Sequence, residues 1–274
     1  MNKLLLRKKL SEFLEEDVGF QDITTEGIYR GEKVKAVIKA KGEGVLAGSP
    51  FVEELFSMLG NVNVNFLIKE GEFFRKGEII AQLHGSAKEI LMGERLALNI
   101  LQRLSGIAYT ARKFVEKLKG KNIKILDTRK TTPGFRFFEK YAVKVGGGEN
   151  HRFALYDMVL IKDNHKKVAG SLREAVKRVM EKISPVYKIE VEVESLEELK
   201  EALELNIDIV MLDNFSPEDV KRAVEMSKGK LLIEVSGNIT LENVHNYAID
   251  GVNFISSGSI IHSSNWVDIS LKIL

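Results

Sequence analysis

The chain contains no cysteine, and this absence removes several kinds of chemistry. Disulfide bonds, thiolate metal sites and a thiol nucleophile are excluded, and the composition suits a reducing compartment. Long apolar runs are also missing, since none approaches the roughly 20 residues that a membrane helix needs. The apolar run at residues 4–6 is too short for the core of a signal peptide. We therefore predict a cytoplasmic protein with no membrane partner.

The sequence also lacks a net charge of one sign. Lys and Arg total 41 against 39 Asp and Glu, which leaves a formal charge of +2. Nucleic-acid binders usually carry a strong basic field, so we predict no nucleic-acid partner, and any cationic site must be local. The 274 residues, 44% of them hydrophobic, are sufficient for one large domain or for a small domain plus a barrel.

The N-terminal third of the chain is predicted to form a sheet with helices packed on it. Short stretches in which apolar and polar residues alternate, separated by Gly, indicate strands within residues 34–48 and 63–85. Between them, residues 49–59 carry apolar side chains at helical spacing. The opening segment has a similar apolar stripe at Leu6, Leu10, Phe13 and Leu14, which favours a helix there.

A long helix is predicted next, from a capping box at Ser86 to about Leu118, with Gly106 marking a bend or a break. Its first half is apolar on nearly every side, which indicates burial in a core or in a subunit interface. Arg95 lies on the same stripe as Leu98. A guanidinium there is costly unless it meets an anion, so Arg95 is a candidate site residue.

From residue 122 onward, short apolar strands alternate with amphipathic helices. Six strands are predicted, at residues 123–126, 158–162, 188–193, 207–212, 230–235 and 252–256. Helices are predicted at residues 171–183, 195–205, 216–227 and 240–248, the last three capped by Ser195, Ser216 and Thr240. This alternation predicts an α/β fold with a parallel, covered sheet. We expect a barrel with fewer than eight strands, and an open doubly wound sheet is the alternative.

Cationic residues cluster where these strands end, as the sites of parallel barrels do. Arg129 and Lys130 directly follow the first strand, and Lys162 closes the second. Arg presents a planar fork to a carboxylate, while Lys presents a point charge to a phosphate. The pattern predicts a small substrate with several anionic groups. The cluster comprises Arg129, Lys130, Arg136, Lys144, His151, Arg152 and Lys162, with His165 just beyond it.

Two turns follow the last two strands and are similar to the phosphate site of barrel enzymes, although many strands simply end in this way. The turns are Ser236-Gly237-Asn238 and Ser256-Ser257-Gly258. Glu192 and Asp213 lie at neighbouring strand ends, where carboxylates can hold Mg²⁺ through water or accept hydrogen bonds from ribose. An internal salt bridge to Lys188 or Lys162 is the alternative for these acids. We expect Glu194 at the solvated surface or in a salt bridge.

The motifs together resemble the quinolinate phosphoribosyltransferase family. The longest of the motifs that show this resemblance is DTRKTTPGFRFFEKYAVKVGGGENHRFALYDMVLIKDNH, at residues 127–165. The others, in the family's order, are GERLALNILQRLSGIA, KIEVEVES, VMLDNF, IEVSGNIT and DISLKI. The resemblance implies an α/β sandwich domain at 1–105, joined by 265–274, and a barrel domain at 106–264. It also implies a homodimer, or a hexamer of three dimers.

The implied reaction transfers the phosphoribosyl group of phosphoribosyl pyrophosphate to quinolinate with decarboxylation. The products are nicotinate mononucleotide, pyrophosphate and CO₂, for NAD synthesis. By resemblance, Arg129, His151, Arg152 and Lys162 surround the quinolinate carboxylates, and Arg95 reaches them from the neighbouring subunit.

On the phosphoribosyl side, the resemblance implies that Lys130 meets pyrophosphate and that Glu192 and Asp213 hold ribose and Mg²⁺. The two turns would hold the 5′-phosphate. The implied catalytic set is Lys130, Lys162, Glu192 and Asp213. The chain departs from the family pattern at Asn238, Ala154 and Ser257, which bears on the geometry of the phosphate loops.

Other interpretations of the motifs remain. A related barrel transferase would accept nicotinate without decarboxylation, and a Schiff-base aldolase would use Lys162 as its nucleophile. Turns within residues 68–82 are similar to a biotinyl or lipoyl carrier, but no Lys sits at a hairpin tip. Zinc is not predicted, because His84, His245 and His262 lack ligand spacing.

Overall fold

The computed structural model describes residues 2–274. The chain divides into two compact units. The first contains the residues up to Thr110 together with Phe137–Gly146 and Ser264–Leu274, and the second contains Ala111–Arg136 and Gly147–Ser263. The domain bounds expected from the sequence, 1–105 with 265–274 and 106–264, stay a prediction, and in this division residues 137–146 fall in the first unit.

The strands of residues 2–274 are β1 (Lys33–Ala40), β2 (Gly44–Val45), β3 (Val62–Phe66), β4 (Phe73–Phe74), β5 (Ile79–Ser86), β6 (Lys124–Leu126), β7 (Val159–Ile161), β8 (Ile189–Val193), β9 (Ile209–Asp213), β10 (Leu232–Ser236), β11 (Phe254–Ser256) and β12 (Ile269–Ile273). The helices are α1 (Lys3–Val18), α2 (Ile23–Ile28), α3 (Ser49–Leu59), α4 (Ala87–Lys117), α5 (Arg136–Val145), α6 (Asp163–Ala169), α7 (Leu172–Met180), α8 (Leu196–Ala202), α9 (Pro217–Ser227) and α10 (Ser259–His262).

The first unit is built on an antiparallel sheet in the order β12-β1-β5-β3. The C-terminal strand β12 pairs with β1, which explains why the end of the chain belongs to this unit. The predicted helices at the N-terminus and at residues 49–59 are confirmed as α1 and α3. Their apolar stripes are buried at Leu6 and Leu10 in α1 and at Phe51 and Leu55 in α3.

Helix α5 belongs to the first unit because its aromatic side chains pack there. The Phe51 ring meets the rings of Phe138 and Tyr141 edge-on, with centroids 4.9 and 4.7 Å apart. A buried ion pair adds to this packing, since Arg103 Nη2 lies 2.7 Å from Glu139 Oε1. No helix was expected here, because α5 lies within the long motif at residues 127–165.

Helix α4 is continuous through Gly106, so the predicted break is wrong. A Cβ at Gly106 would lie 1.9 Å from the carbonyl oxygen of Asn265, and the glycine therefore permits a close backbone approach. The apolar side chains predicted to be buried in the first half of α4 are buried from Leu96 to Leu104, whereas Leu91 and Arg95 are exposed in the single chain. Within residues 2–274, no helix combines the length and apolarity needed to cross a bilayer.

The second unit contains a six-stranded parallel sheet in the order β6-β11-β10-β9-β8-β7. All six predicted strands are present. From β7 to β11 each strand pairs with the next strand along the chain, and the last strand, β11, also pairs with the first, β6. A doubly wound sheet would instead extend in both directions from its first strand. The fold is the predicted α/β barrel with fewer than eight strands.

Three of the four helices predicted for the barrel are confirmed as α7, α8 and α9. The Ser171, Ser195 and Ser216 side chains accept backbone N–H groups at their starts. The helix predicted at 240–248 is wrong, because only a short 3₁₀ turn forms there, at Val244–Tyr247. The Thr240 N–H donates to the side chain of Asn243 at 2.8 Å, and such local bonds compete with helix formation.

Candidate active site

A cavity of about 460 Å³ opens within the second unit, among residues that follow the carboxyl ends of the barrel strands. Of the fourteen substrate-binding residues that the family resemblance implies, twelve line it, and Arg95 and Glu192 do not. The lining residues are Thr128, Arg129, Lys130, His151, Arg152, Leu160, Lys162, Met211, Asp213, Ser236, Gly237, Asn238, Ile239, Thr240, Ser256, Ser257, Gly258, Ser259, His262 and Ser263.

The cationic side of the cavity combines exposed and half-buried groups. Arg129 and Lys130 are exposed just beyond β6, whereas Arg152 is half-buried and donates from Nη1 to the Met158 carbonyl at 3.1 Å. Burial, and then the nearby charge of Arg129, lowers the pKa of Arg152. Two guanidinium groups that repel each other in a partly dry site favour an anion between them.

Asp127 holds the loop that carries His151 and Arg152. Its buried carboxylate accepts the His151 backbone N–H at 2.9 Å and the Asn150 side-chain amide at 2.6 Å. The Arg152 backbone N–H in turn donates to His151 Nδ1 at 2.7 Å. The sequence analysis gave Asp127 no role. The available signal was an acidic residue directly after an apolar strand.

Two buried carboxylates lie behind the imidazole of His151. Its Nε2 is 3.0 Å from Glu190 Oε2 and 3.5 Å from Glu234 Oε2. Burial raises the pKa of Glu190, and burial together with the charge of Glu190 raises the pKa of Glu234. Ligand atoms of these three residues lie within 4.8 Å of one another, close enough for one metal ion. Sequence reasoning missed both carboxylates as site residues; their signal was acidic residues within apolar strands.

Glu192 is engaged by a neighbour rather than open to the cavity. It is 6% exposed, and its carboxylate forms an ion pair with Lys162 Nζ. This ion pair is the alternative that the sequence left open for Glu192. Glu194 is exposed, as predicted.

Asp213 is the carboxylate that lines the cavity. It is half-buried, and its Oδ2 accepts a hydrogen bond from Asn214 Nδ2 at 2.7 Å. Burial, and then the charge of Glu192, raises the pKa of Asp213, against the opposing charge of Lys162. A positive charge beside Asp213 would therefore stabilise its ionised form. Such a charge could come from a bound cation or from a cationic reaction centre.

Hydroxyl groups join the two serine-containing turns. Ser256 Oγ donates to Ser236 Oγ at 3.0 Å, which links the ends of β10 and β11. Ser257 Oγ donates to the carbonyl oxygen of Ile239 at 2.6 Å and also contacts Ser259 Oγ at 2.7 Å. These bonds hold both turns at one end of the cavity.

Both turns contain a glycine at a close contact, and the backbone of the first requires it. Gly237 has a φ of +91°, and a Cβ there would lie 2.4 Å from Asn214 Oδ1. A Cβ at Gly258 would lie 2.8 Å from Lys130 Cδ and 3.0 Å from the His262 ring. His262 therefore lines the cavity, although its spacing predicted no function. The usable signal was its place four residues after Gly258, one helical turn beyond the serine-glycine turn.

Several predicted cations lie outside this cavity. Arg95 is exposed on α4 in the first unit, and Lys144 is exposed on α5 of the same unit. Arg136 donates to Thr131 Oγ1 at 2.9 Å and to a backbone carbonyl at 3.2 Å. His165 Nδ1 accepts the Lys162 backbone N–H at 2.9 Å.

Two models of one protein family match almost the whole chain. The family described as "Quinolinate phosphoribosyl transferase, C-terminal domain" matches residues 107–272, and its N-terminal counterpart matches residues 22–105. The chain is 45% identical over 275 residues to a "Probable nicotinate-nucleotide pyrophosphorylase [carboxylating]" of Bacillus subtilis, covering 100% of this chain and 95% of the relative.

A relative from another organism and a solved structure are also similar to the chain. A "Nicotinate-nucleotide pyrophosphorylase [carboxylating]" of Rattus norvegicus is 41% identical over 244 residues, covering 87% of this chain and 81% of the relative. The crystal structure of NadC from Streptococcus pyogenes superposes with a TM-score of 0.94 at 38% identity, covering 100% of this chain and 99% of that one.

Proposed function

Since the chain belongs to the quinolinate phosphoribosyltransferase family, we propose that its barrel cavity holds both substrates of the family reaction. The protein is a pentosyltransferase that joins quinolinate to phosphoribosyl pyrophosphate with loss of CO₂, giving nicotinate mononucleotide and pyrophosphate for NAD synthesis. The observation that carries the assignment is that one cavity is lined both by the cations Arg129, Arg152 and Lys162 and by the two serine-glycine turns.

The cationic wall binds the two carboxylates of quinolinate. Arg129 and Arg152 supply planar forks that match carboxylates, and Lys162 adds a point charge. The lowered pKa of Arg152 supports this role, since an anion at this position relieves both its desolvation and its repulsion by Arg129. His151 lines the same wall, and the buried carboxylates of Glu190 and Glu234 hold its ring from behind.

The part of the cavity lined by the two serine-glycine turns takes phosphoribosyl pyrophosphate. Backbone N–H groups of the two turns and the hydroxyl of Ser236 bind the 5′-phosphate, and Asp213 accepts hydrogen bonds from the ribose. Lys130 passes beside Gly258, where the absence of a Cβ leaves room for its side chain. From there its ammonium group stabilises the departing pyrophosphate.

The reaction develops positive charge on the ribose, and the site must stabilise that charge. As the bond to pyrophosphate breaks, the anomeric carbon acquires oxocarbenium character, and the carboxylate of Asp213, which lines the cavity, stabilises it. The pyridine nitrogen donates its electron pair to that carbon and becomes positively charged. The adjacent carboxylate then leaves as CO₂, and the electron pair of the broken bond stays on the ring carbon beside the positive nitrogen. A proton adds to that carbon in place of the carboxylate. The residues position the substrates and exclude water.

We propose Mg²⁺ as the cofactor, with Asp213 as its principal protein partner. Carboxylate oxygens are the ligands that Mg²⁺ prefers, and the Asp213 carboxylate lines the cavity. The pKa of Asp213 is raised, and a bound cation would lower it again. Glu192 fits less directly, because Lys162 already pairs with it, so it acts through water. When bound, Mg²⁺ neutralises charge on the pyrophosphate.

We also propose a cytoplasmic homodimer, or a hexamer of three dimers, in which Arg95 enters the neighbouring subunit's cavity. The exposed side chains of Ile28 and Leu91 line an apolar cleft in the first unit, and Arg95 lies one helical turn beyond Leu91. In this arrangement the Arg95→Ala and Arg129→Ala variants are each inactive, but heterodimers of the two recover some activity. A lack of recovery after confirmed subunit exchange would contradict the shared site.

The reaction itself is tested with the purified wild-type protein, quinolinate, phosphoribosyl pyrophosphate and Mg²⁺. We expect equimolar CO₂ and nicotinate mononucleotide, and no product when nicotinate replaces quinolinate. Product from nicotinate alone would favour the non-decarboxylating transferase. Borohydride trapping of a substrate on Lys162 would favour the aldolase.

A further inference from the structure

We propose that Asn238 is a positioning residue that sets the Asp213 carboxylate for phosphoribosyl pyrophosphate, acting through the side chain of Asn214. The inference deepens the proposed function and rests on its assignment of Asp213 to the ribose and Mg²⁺ side. We call the three side chains of Asn238, Asn214 and Asp213 the amide relay.

The amide relay is a directed chain of two hydrogen bonds. Asn238 Nδ2 donates to Asn214 Oδ1 at 2.9 Å, and Asn214 Nδ2 donates to Asp213 Oδ2 at 2.7 Å. A side-chain amide has one accepting and one donating end. Because Asn238 occupies the accepting end of Asn214, the donating end faces Asp213. The relay engages Asp213 Oδ2 and leaves Oδ1 for a ligand in the cavity.

The backbone is shaped to bring these side chains together. Asn214 and Asn238 have φ values of +58° and +51°, a left-handed conformation that Asn adopts more readily than most residues with a side chain. The Asn214 amide lies over Gly237, where a Cβ would be only 2.4 Å from its oxygen. The carbonyl oxygen of Asn238 also accepts a bond from Asn243 Nδ2 at 3.0 Å, which fixes the turn from the other side.

The relay links the two parts of the phosphoribosyl site. Asn238 belongs to the turn assigned to the 5′-phosphate, and Asp213 is the carboxylate assigned to the ribose. Phosphate binding that orders this turn therefore also orders Asp213, through two bonds and with no movement of the barrel strands. The cationic wall for quinolinate takes no part in the relay, so the effect is specific to one substrate.

The first test replaces Asn238 with glycine, which keeps the backbone N–H and accepts the left-handed conformation but removes the relay's donor. Loss of one such bond predicts an affinity for phosphoribosyl pyrophosphate lowered by about three- to tenfold, measured by calorimetry with Mg²⁺. Quinolinate affinity should stay within about twofold, on the same reasoning that the bond lies outside its wall. The matched control is Asn61→Gly, also at a left-handed asparagine (φ +56°) but outside the cavity lining, and it should change neither affinity.

A second variant separates positioning from simple packing. Asn238→Asp keeps the size of the side chain but sets an acceptor against Asn214 Oδ1, so the Asn214 amide turns and presents its oxygen to Asp213. Phosphoribosyl pyrophosphate affinity should then fall further than in Asn238→Gly. An Asp variant that binds as well as the Gly variant would overturn the relay.

A double-mutant cycle tests whether Asn238 acts through Asn214. In an Asn214→Asp background, which already lacks the donor to Asp213, Asn238→Gly should add little further loss, because the two changes break one chain of bonds. Full additivity, or a wild-type affinity in Asn238→Gly, would overturn the proposal. Binding is measured independently of turnover, so the relay can be tested even in a protein that fails to convert quinolinate.

Discussion

Gly237 offers the sharpest test of the phosphate end of the cavity. Its φ of +91° disfavours any side chain, and a Cβ would lie 2.4 Å from Asn214 Oδ1 and 2.6 Å from the Asn214 backbone nitrogen. Gly170 is a matched control, since its φ is +95° and a Cβ there meets no atom within 4 Å. The Gly237→Ala and Gly170→Ala variants therefore share the backbone strain but not the collision.

The expected magnitudes follow from this difference. Left-handed strain for a residue with a side chain costs about 1–2 kcal/mol, so Gly170→Ala should lose roughly this much unfolding free energy and Gly237→Ala at least as much. In Gly237→Ala the backbone of Asn214 must also move, which shifts both the turn and the hydrogen bond to Asp213. We expect at least a tenfold loss of affinity for phosphoribosyl pyrophosphate, equivalent to about 1.4 kcal/mol.

The assay is calorimetric titration of phosphoribosyl pyrophosphate into both variants, beside thermal unfolding of the same samples. Gly170→Ala should bind as the wild type does while melting earlier. Equal phosphoribosyl pyrophosphate affinity in the two variants would show that the turn at Gly237 does not hold this substrate.

Three further predictions concern the cationic wall and the buried acids. Arg152→Lys removes a fork, so the KM for quinolinate should rise about tenfold while that for phosphoribosyl pyrophosphate changes little; an equal rise in both would contradict the assignment. Lys162→Met leaves the buried Glu192 charge without its partner and should destabilise the fold by about 3 kcal/mol in chemical denaturation. Adding Glu192→Gln should restore stability without restoring turnover. Because burial raises the pKa of Glu234 from 4.5 to about 8 in the folded state, wild-type stability should fall as the pH rises from about 4.5 to about 8, and Glu234→Gln should flatten this fall in a series of melting curves.

The barrel and most of its site could be predicted from sequence because both depend on local patterns. Each strand is a short apolar run, and Arg129, Lys130 and Asp213 follow or end such runs. Parallel strands bring their carboxyl ends to one side of the sheet, so these residues converge whatever the loops do. Twelve of the fourteen predicted site residues line one cavity for this reason.

The features that were not predicted depend on contacts distant in sequence or on local side-chain bonds. Helix α5 joins the first unit through aromatic packing against Phe51, which no spacing within its own segment reveals. Thr240 forms a turn with Asn243 where a helical stripe was read. Glu190 and Glu234 become neighbours of His151 only when the barrel closes, and Glu192 turns to Lys162 for the same reason.

The most direct test of the central claim is a crystal structure with quinolinate bound. The account predicts the pyridine dicarboxylate in the barrel cavity, with its carboxylates within hydrogen-bond distance of Arg129, Arg152 and Lys162. The ring nitrogen should face the end that contains Asp213 and the two serine-glycine turns. Quinolinate bound outside this cavity, or with its carboxylates on those turns and away from the guanidinium groups, would contradict the account.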